Sequence, residues 1–133
     1  MKKILYYFRR FFYFIFYESF NKKIKYNWES YPPRFDIINN IIKKKNYTTY
    51  LEIGCFKDEN FSQINIENKI GVDPVSGGNL RMTSDQFFLE NKKKFDIIFI
   101  DGLHIYEQVI KDIFNSIKIL NSDGIILIHD CLP

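Results

Sequence analysis

Apolar runs that stop abruptly at a carboxylate or a glycine constrain this chain more than any other feature. The clearest is FDIIFID, residues 95–101, where Ile97, Ile98, Phe99 and Ile100 lead straight into Asp101. An unbroken apolar run, rather than an apolar/polar alternation, marks a strand buried on both faces. TTYLEIGC (48–55), KIGVDP (69–74) and IILIHD (125–130) repeat the pattern, and RMTSDQFF (81–88) holds a short strand and a helix start. Thr83 and Gln86 there have the spacing of a capping box.

Helical spacing fills the intervals. Residues 34–45 carry the pairs Ile37/Ile38 and Ile41/Ile42, with Lys43–Lys45 suited to the helix C-terminus. A short helix is expected from about Glu59 to Ile66. A longer one is expected over 105–120, with Val109, Ile113, Ile117 and Leu120 on one stripe. SGGN (76–79) reads as a loop and NSDG (121–124) as a turn. Strands alternating with helices predict an α/β fold with a parallel sheet. Ligands of such sheets bind beyond the carboxyl ends of the strands. The residues to read are therefore Glu52, Gly54, Asp73, Ser84, Asp85, Asp101, His104, His129 and Asp130.

The 133 residues suffice for one domain with a core. Charge is unevenly spread. Residues 1–50 carry a net +8, residues 51–133 a net −5. The acidic body argues against a nucleic-acid partner. The basic, aromatic front, residues 1–30, is expected to be a helical segment preceding a domain over 31–133. Its longest uncharged run after Arg10 ends at Tyr17, too short for a membrane span of roughly 20 residues. Peripheral membrane contact through residues 1–26 is one expectation, packing of this helix on the domain the other. Two cysteines, Cys55 and Cys131, make no disulfide framework, which points to a reducing, cytoplasmic setting, with the inner membrane face as the peripheral alternative.

Asp73 follows Gly54 by about 20 residues, the interval at which a carboxylate reaches a ribose diol. GCFKDE holds one glycine where a dinucleotide fold wants three, so a nucleoside without a pyrophosphate fits better.

YLEIGC, GVDP, MTSDQFF, FDIIFIDGLHIYEQVIKDIFNSIKIL and GIILIHDCLP together resemble the class I S-adenosylmethionine-dependent methyltransferases. The likeness is greatest to the small bacterial group with IDG-x-H-x-Y and HDC-x-P signatures, and it extends over residues 34–133. It implies a Rossmann-like, doubly wound sheet of about five strands in order 3-2-1-4-5. Glu52 and Gly54 would lie near the methionine part of S-adenosyl-L-methionine, Asp73 at the ribose, and Ser84 and Asp85 near the adenine. Asp101 would sit by the reacting methyl group, with His104 or His129 taking the acceptor's proton. By likeness to catechol-type O-methyltransferases, Asp101 and Asp130 would share a Mg2+ ion. In that strand order Cys55 and Cys131 are too far apart for a disulfide.

Two departures from the family pattern stand out. CFKDENF has few small residues, and the chain stops where strands 6 and 7 would follow, an apparent truncation after strand 5. The expected activity is methyl transfer to a hydroxyl of a small molecule or glycan. The alternative is a degenerate, non-catalytic binding or scaffold protein. An uncovered last strand would favour a homo-oligomer.

Overall fold

The computed structural model describes residues 31–130. The chain divides into two units, Met1–Tyr31 and Pro32–Pro133, and every element below belongs to the second. The expected N-terminal helix with its membrane contact, and Cys131, lie outside the described residues.

Helix α1, Arg34–Lys45, follows Pro32-Pro33 and carries Asp36 in its first turn and three lysines in its last, both favourable to the helix dipole. Asn46 ends it in the left-handed conformation. Four parallel strands follow: β1 (Thr49–Ile53), β2 (Asn68–Val72), β3 (Phe95–Ile100) and β4 (Leu120–Ile128). They lie in the order β2-β1-β3-β4. Helix α2 (Ser84–Glu90) precedes β3, and α3 (Tyr106–Ile119) precedes β4. This architecture is consistent with a Rossmann-like methyltransferase fold.

Alternation along the central strands divides the core between the two faces of the sheet. Tyr50, Ile97 and Phe99 pack with Ile38 and Ile42 of α1 and with Phe61. Leu51, Ile53, Ile98 and Ile100 pack with Phe87 of α2, with Ile113 of α3 against them. Both faces are thus covered, which is why these strands need continuous apolar runs.

Four expectations need correction. The third strand shrinks to a single parallel bridge between Val72 and Leu80. Thr83 is already the N-cap of α2, closed by a capping box with Gln86, which leaves no length for a strand over 81–83. The sheet therefore has four strands, in the expected order without its third member. The helix over 59–66 is one 3-10 turn, Phe61–Gln63. Lys69 Nζ takes the carbonyls of Phe61 and Ile64, at 2.8 and 2.9 Å, which helix continuation would have used. Residues 121–124 form a bulge inside β4 instead of a turn before it. Phe95 pairs with Leu120 but Ile97 with Ile125, so two steps along β3 match five along β4. Asn121 fastens the bulge by donating to Asp96 Oδ1 at 2.6 Å. Finally, Ile117 is exposed, and the buried positions of α3 are Asp112 and Ser116. A polar contact with α2, described below, sets the roll of this helix.

Candidate functional site

The carboxyl ends of β1, β2 and β3 open into a cleft of about 540 Å³. Gly54, Asp73, Ser84, Asp101 and His104 all line it, so five of the residues read from the strand ends meet there. Gln108 and Asp112 of α3 line it as well, and only a knowledge of which way α3 rolls would have found them. Glu52 points to the opposite side of β1. It lines a smaller compartment of about 90 Å³ with Arg34, Lys57 and Asn60, and Gly54, Phe56 and Asp101 line both this compartment and the cleft.

Gly54 is the hinge of the arrangement. Its φ is +86°, and a Cβ there would lie 2.3 Å from the Asp101 carbonyl oxygen. The β1 and β3 ends approach this closely only because no side chain stands between them.

Asp73 is buried and fully engaged. Its Oδ2 accepts from the backbone N–H of Cys55 (3.1 Å) and Phe56 (2.9 Å). Its Oδ1 accepts from Val75 and Ser76, both at 2.8 Å. Burial by itself would raise this carboxyl's pKa, but the four N–H donors outweigh it and hold the group below the usual range. Asp73 thereby ties the loop after β1 to the loop after β2.

Asp101 is a junction of charges. Its Oδ2 takes the Arg34 guanidinium at 2.5 Å. Its Oδ1 lies 2.9 Å from His129 Nδ1 and 3.8 Å from His104 Nε2. Asp130 is more exposed. Its oxygens lie 3.2 Å from His129 Nδ1 and 4.0 Å from His104 Nδ1. The two histidines and two carboxylates from the ends of β3 and β4 thus form one cluster, and Arg34 joins it from α1. Nothing in the sequence pattern flagged Arg34, which stands 67 residues before its partner.

The expected cation site does not fit this arrangement. Both oxygens of Asp101 already face a guanidinium and an imidazole, and His129 lies between Asp101 and Asp130. A hard cation needs several converging oxygens. Among the described residues no group of three or more His, Cys, Asp or Glu side chains is placed to hold a metal.

At the far end of the cleft, Gln108 Nε2 donates to Ser84 Oγ (3.1 Å), Asp85 Oδ1 (3.2 Å) and Asp112 Oδ1 (3.0 Å). Burial raises the pKa of the Asp112 carboxyl. Asp85 turns away to Lys111 at 2.5 Å and is absent from the cleft wall. This network joins α2 to α3 and turns Asp112 inward at the expense of Ile117.

Glu52 is only 1% exposed. Burial pushes its carboxyl up to about 7, although Tyr50 and Asn60 donate to it, Asn60 at 2.8 Å. Burial and the neighbouring Glu52 raise the pKa of the Tyr50 hydroxyl in turn. Cys55 is a buried free thiol whose pKa burial also raises.

The family model described as a methyltransferase domain matches residues 42–131. Among curated proteins, the chain is 30% identical over 128 residues to an uncharacterized protein of Acanthamoeba polyphaga mimivirus. That match covers 72% of this chain and 58% of the viral protein, so the chain spans little more than half of its relative's length. Among the described residues no helix is long and apolar enough to cross a membrane.

Proposed function

This chain belongs to the methyltransferase-domain family, and on that premise we propose that it moves a methyl group from S-adenosyl-L-methionine to a hydroxyl of a small molecule or glycan. The observation that carries the reading is the cluster of Asp101, His104 and His129 at the rim of a cleft sized for a nucleoside. A pocket of several hundred Å³ with a few convergent polar groups is the usual form of a small-molecule site.

When bound, the cofactor supplies an electrophilic methyl on a sulfonium. The chain supplies orientation and a proton acceptor. His104 is the base: it lines the cleft and stands between two carboxylates, Asp101 at 3.8 Å and Asp130 at 4.0 Å. In this reading it takes the proton of the acceptor hydroxyl. His129 stands behind Asp101 and positions that carboxylate. The adenine end of the cleft falls to Ser84, Gln108 and Asp112, with Asp85 outside them holding Gln108 and Lys111. The ribose lies against the wall that Asp73 ties together. With four N–H donors already on its carboxylate, Asp73 acts on the ribose chiefly by holding that wall in place.

Calorimetric titration with S-adenosylhomocysteine tests the cofactor site, and an acceptor screen with and without Mg2+ tests turnover. Micromolar binding with product formation independent of Mg2+ is the expected result. Binding without product would favour a second reading, a non-catalytic binding module, which the Arg34 contact on Asp101 also suits. Absence of binding by the folded chain would remove the enzyme reading.

A further inference from the structure

Helix α3 carries polar side chains inward and apolar ones outward. Its buried positions are Asp112 and Ser116, 1% and 0% exposed. The Gln108 contacts on Ser84 and Asp112 hold it in this roll. Its outer face is correspondingly apolar: Tyr106 is 75% exposed, Ile110 36%, Phe114 59% and Ile117 55%. At 3.6 residues per turn these four fall within about 80° of one another, a continuous stripe along the helix. A helix of a globular domain ordinarily turns such a stripe to the core, and a contiguous apolar patch left outside marks an interaction surface. The stripe is separate from the cleft, whose wall takes Gln108 and Asp112 from this helix.

One margin of the stripe is charged at both ends. Glu107 stands in the first turn and Lys118 in the last. About three turns apart, they differ by only about 20° around the helix. Between them, Lys111 is engaged by Asp85 at 2.5 Å. Lys118 reaches Asn115 of its own helix at 3.0 Å. An acidic end and a basic end on one margin make the face complementary to itself when reversed. We propose that the outer face of α3 is a dimer interface, occupied by the same face of a second copy running antiparallel. A two-fold axis across the face at the height of Asp112 sets Glu107 against the partner's Lys118, and Lys118 against the partner's Glu107. Ile110, Phe114 and Ile117 then lie between the two helices, where each apolar side chain finds an apolar neighbour. A parallel pairing would oppose like charges at both ends, so charge selects the antiparallel one. This surface is not the outer edge of β4, where a second copy would pair backbone with backbone. The inference needs no bound cofactor and stands apart from the cofactor reading.

Sedimentation velocity of the intact chain tests it. One helix pair is a small interface, so a dissociation constant of roughly 1–100 µM is expected. Phe114→Glu should give a monomer throughout that range, with circular dichroism unchanged because the side chain is 59% exposed. Glu107→Lys or Lys118→Glu alone should weaken the dimer by about 2- to 30-fold, since each removes two exposed ion pairs. The double reversal should restore it to within about threefold of the unaltered chain. A dimer indifferent to Phe114→Glu would place assembly elsewhere and overturn the proposal. Losses that add in the double reversal instead of cancelling would overturn it too. So would an unaltered chain that stays monomeric throughout, which would leave the stripe to a partner of another sequence.

Discussion

Glu52→Gln should make the protein more stable at neutral pH and leave it nearly unchanged in acid. Glu52 is 1% exposed, and burial raises its pKa from 4.5 to about 7. A carboxyl raised on folding binds its proton more tightly in the native state than in the unfolded one. Its contribution is therefore fully present below pH 4.5 and is lost as pH rises to about 7. The shift corresponds to about 3 kcal/mol at about 1.4 kcal/mol per pH unit, most of it falling between pH 5 and pH 8. Glutamine keeps a carbonyl acceptor for Tyr50 and Asn60 and cannot ionise. Urea unfolding of both proteins at pH 5 and pH 8, read by fluorescence of the aromatic residues and by circular dichroism, gives the comparison. The gain from the substitution should be larger at pH 8 than at pH 5 by about 2–3 kcal/mol, with unchanged m-values. A gain that is the same at both pH values, or a loss that grows with pH, would show Glu52 to be an ordinary carboxylate and refute the reasoning.

Gly54→Ala should lower the melting temperature and weaken S-adenosylhomocysteine at least tenfold by calorimetry, because its Cβ would strike the Asp101 backbone and φ is +86°. Asp73→Asn should weaken the same ligand and speed amide exchange at Cys55, Phe56, Val75 and Ser76, since an amide NH2 would face two of the four N–H donors. Asp96 is held down to about 2 despite partial burial by donors from Thr48, Asn121 and Thr49. Its contribution, about 1–2 kcal/mol after solvent screening, is present above about pH 4 and is lost as pH falls to 2. An Asp96→Asn protein should accordingly show a shallower acid-unfolding curve there. His104→Gln should cut turnover by about 100-fold or more and leave S-adenosylhomocysteine affinity within about threefold, measured by product formation beside calorimetry.

The strands that the sequence shows well are those whose environment is uniform along their length. Ile97–Ile100 and Tyr50–Ile53 are buried on both faces, so composition alone marks them. Helix α1 matches its expected span because its cap, its dipole charges and its apolar pairs agree. Elements decided by a distant side chain are not visible in this way. Lys69 shortens the helix after β1, and Asn121 on Asp96 draws the supposed turn into β4. The stripe expected on α3 errs for the same reason. Asp112 looks like a surface residue in a helical pattern, and only its contact with Gln108 beside Ser84 puts it inside.

Residue types at strand ends meet at one cleft, but their partners are not visible in the sequence. Position follows from topology, since a parallel sheet brings all its carboxyl ends to one edge. Partnership follows from side-chain geometry, and here the carboxylates are spent largely on the protein itself. Asp73 closes two loops, Asp101 holds Arg34, and Asp85 holds Lys111. Each reads as a ligand group from its place beyond a strand end, Asp73 also from its interval after Gly54. The protein supplies each with a counterpart internally, by four amides in one case and a cation in each of the others. The four amides around Asp73 belong to the backbone, and no ligand can displace them without moving two loops. The Arg34 contact on Asp101 comes from a single side chain that is 41% exposed. The two aspartates therefore differ in kind: Asp73 is fixed by the backbone of two loops, whereas Asp101 is held by side chains.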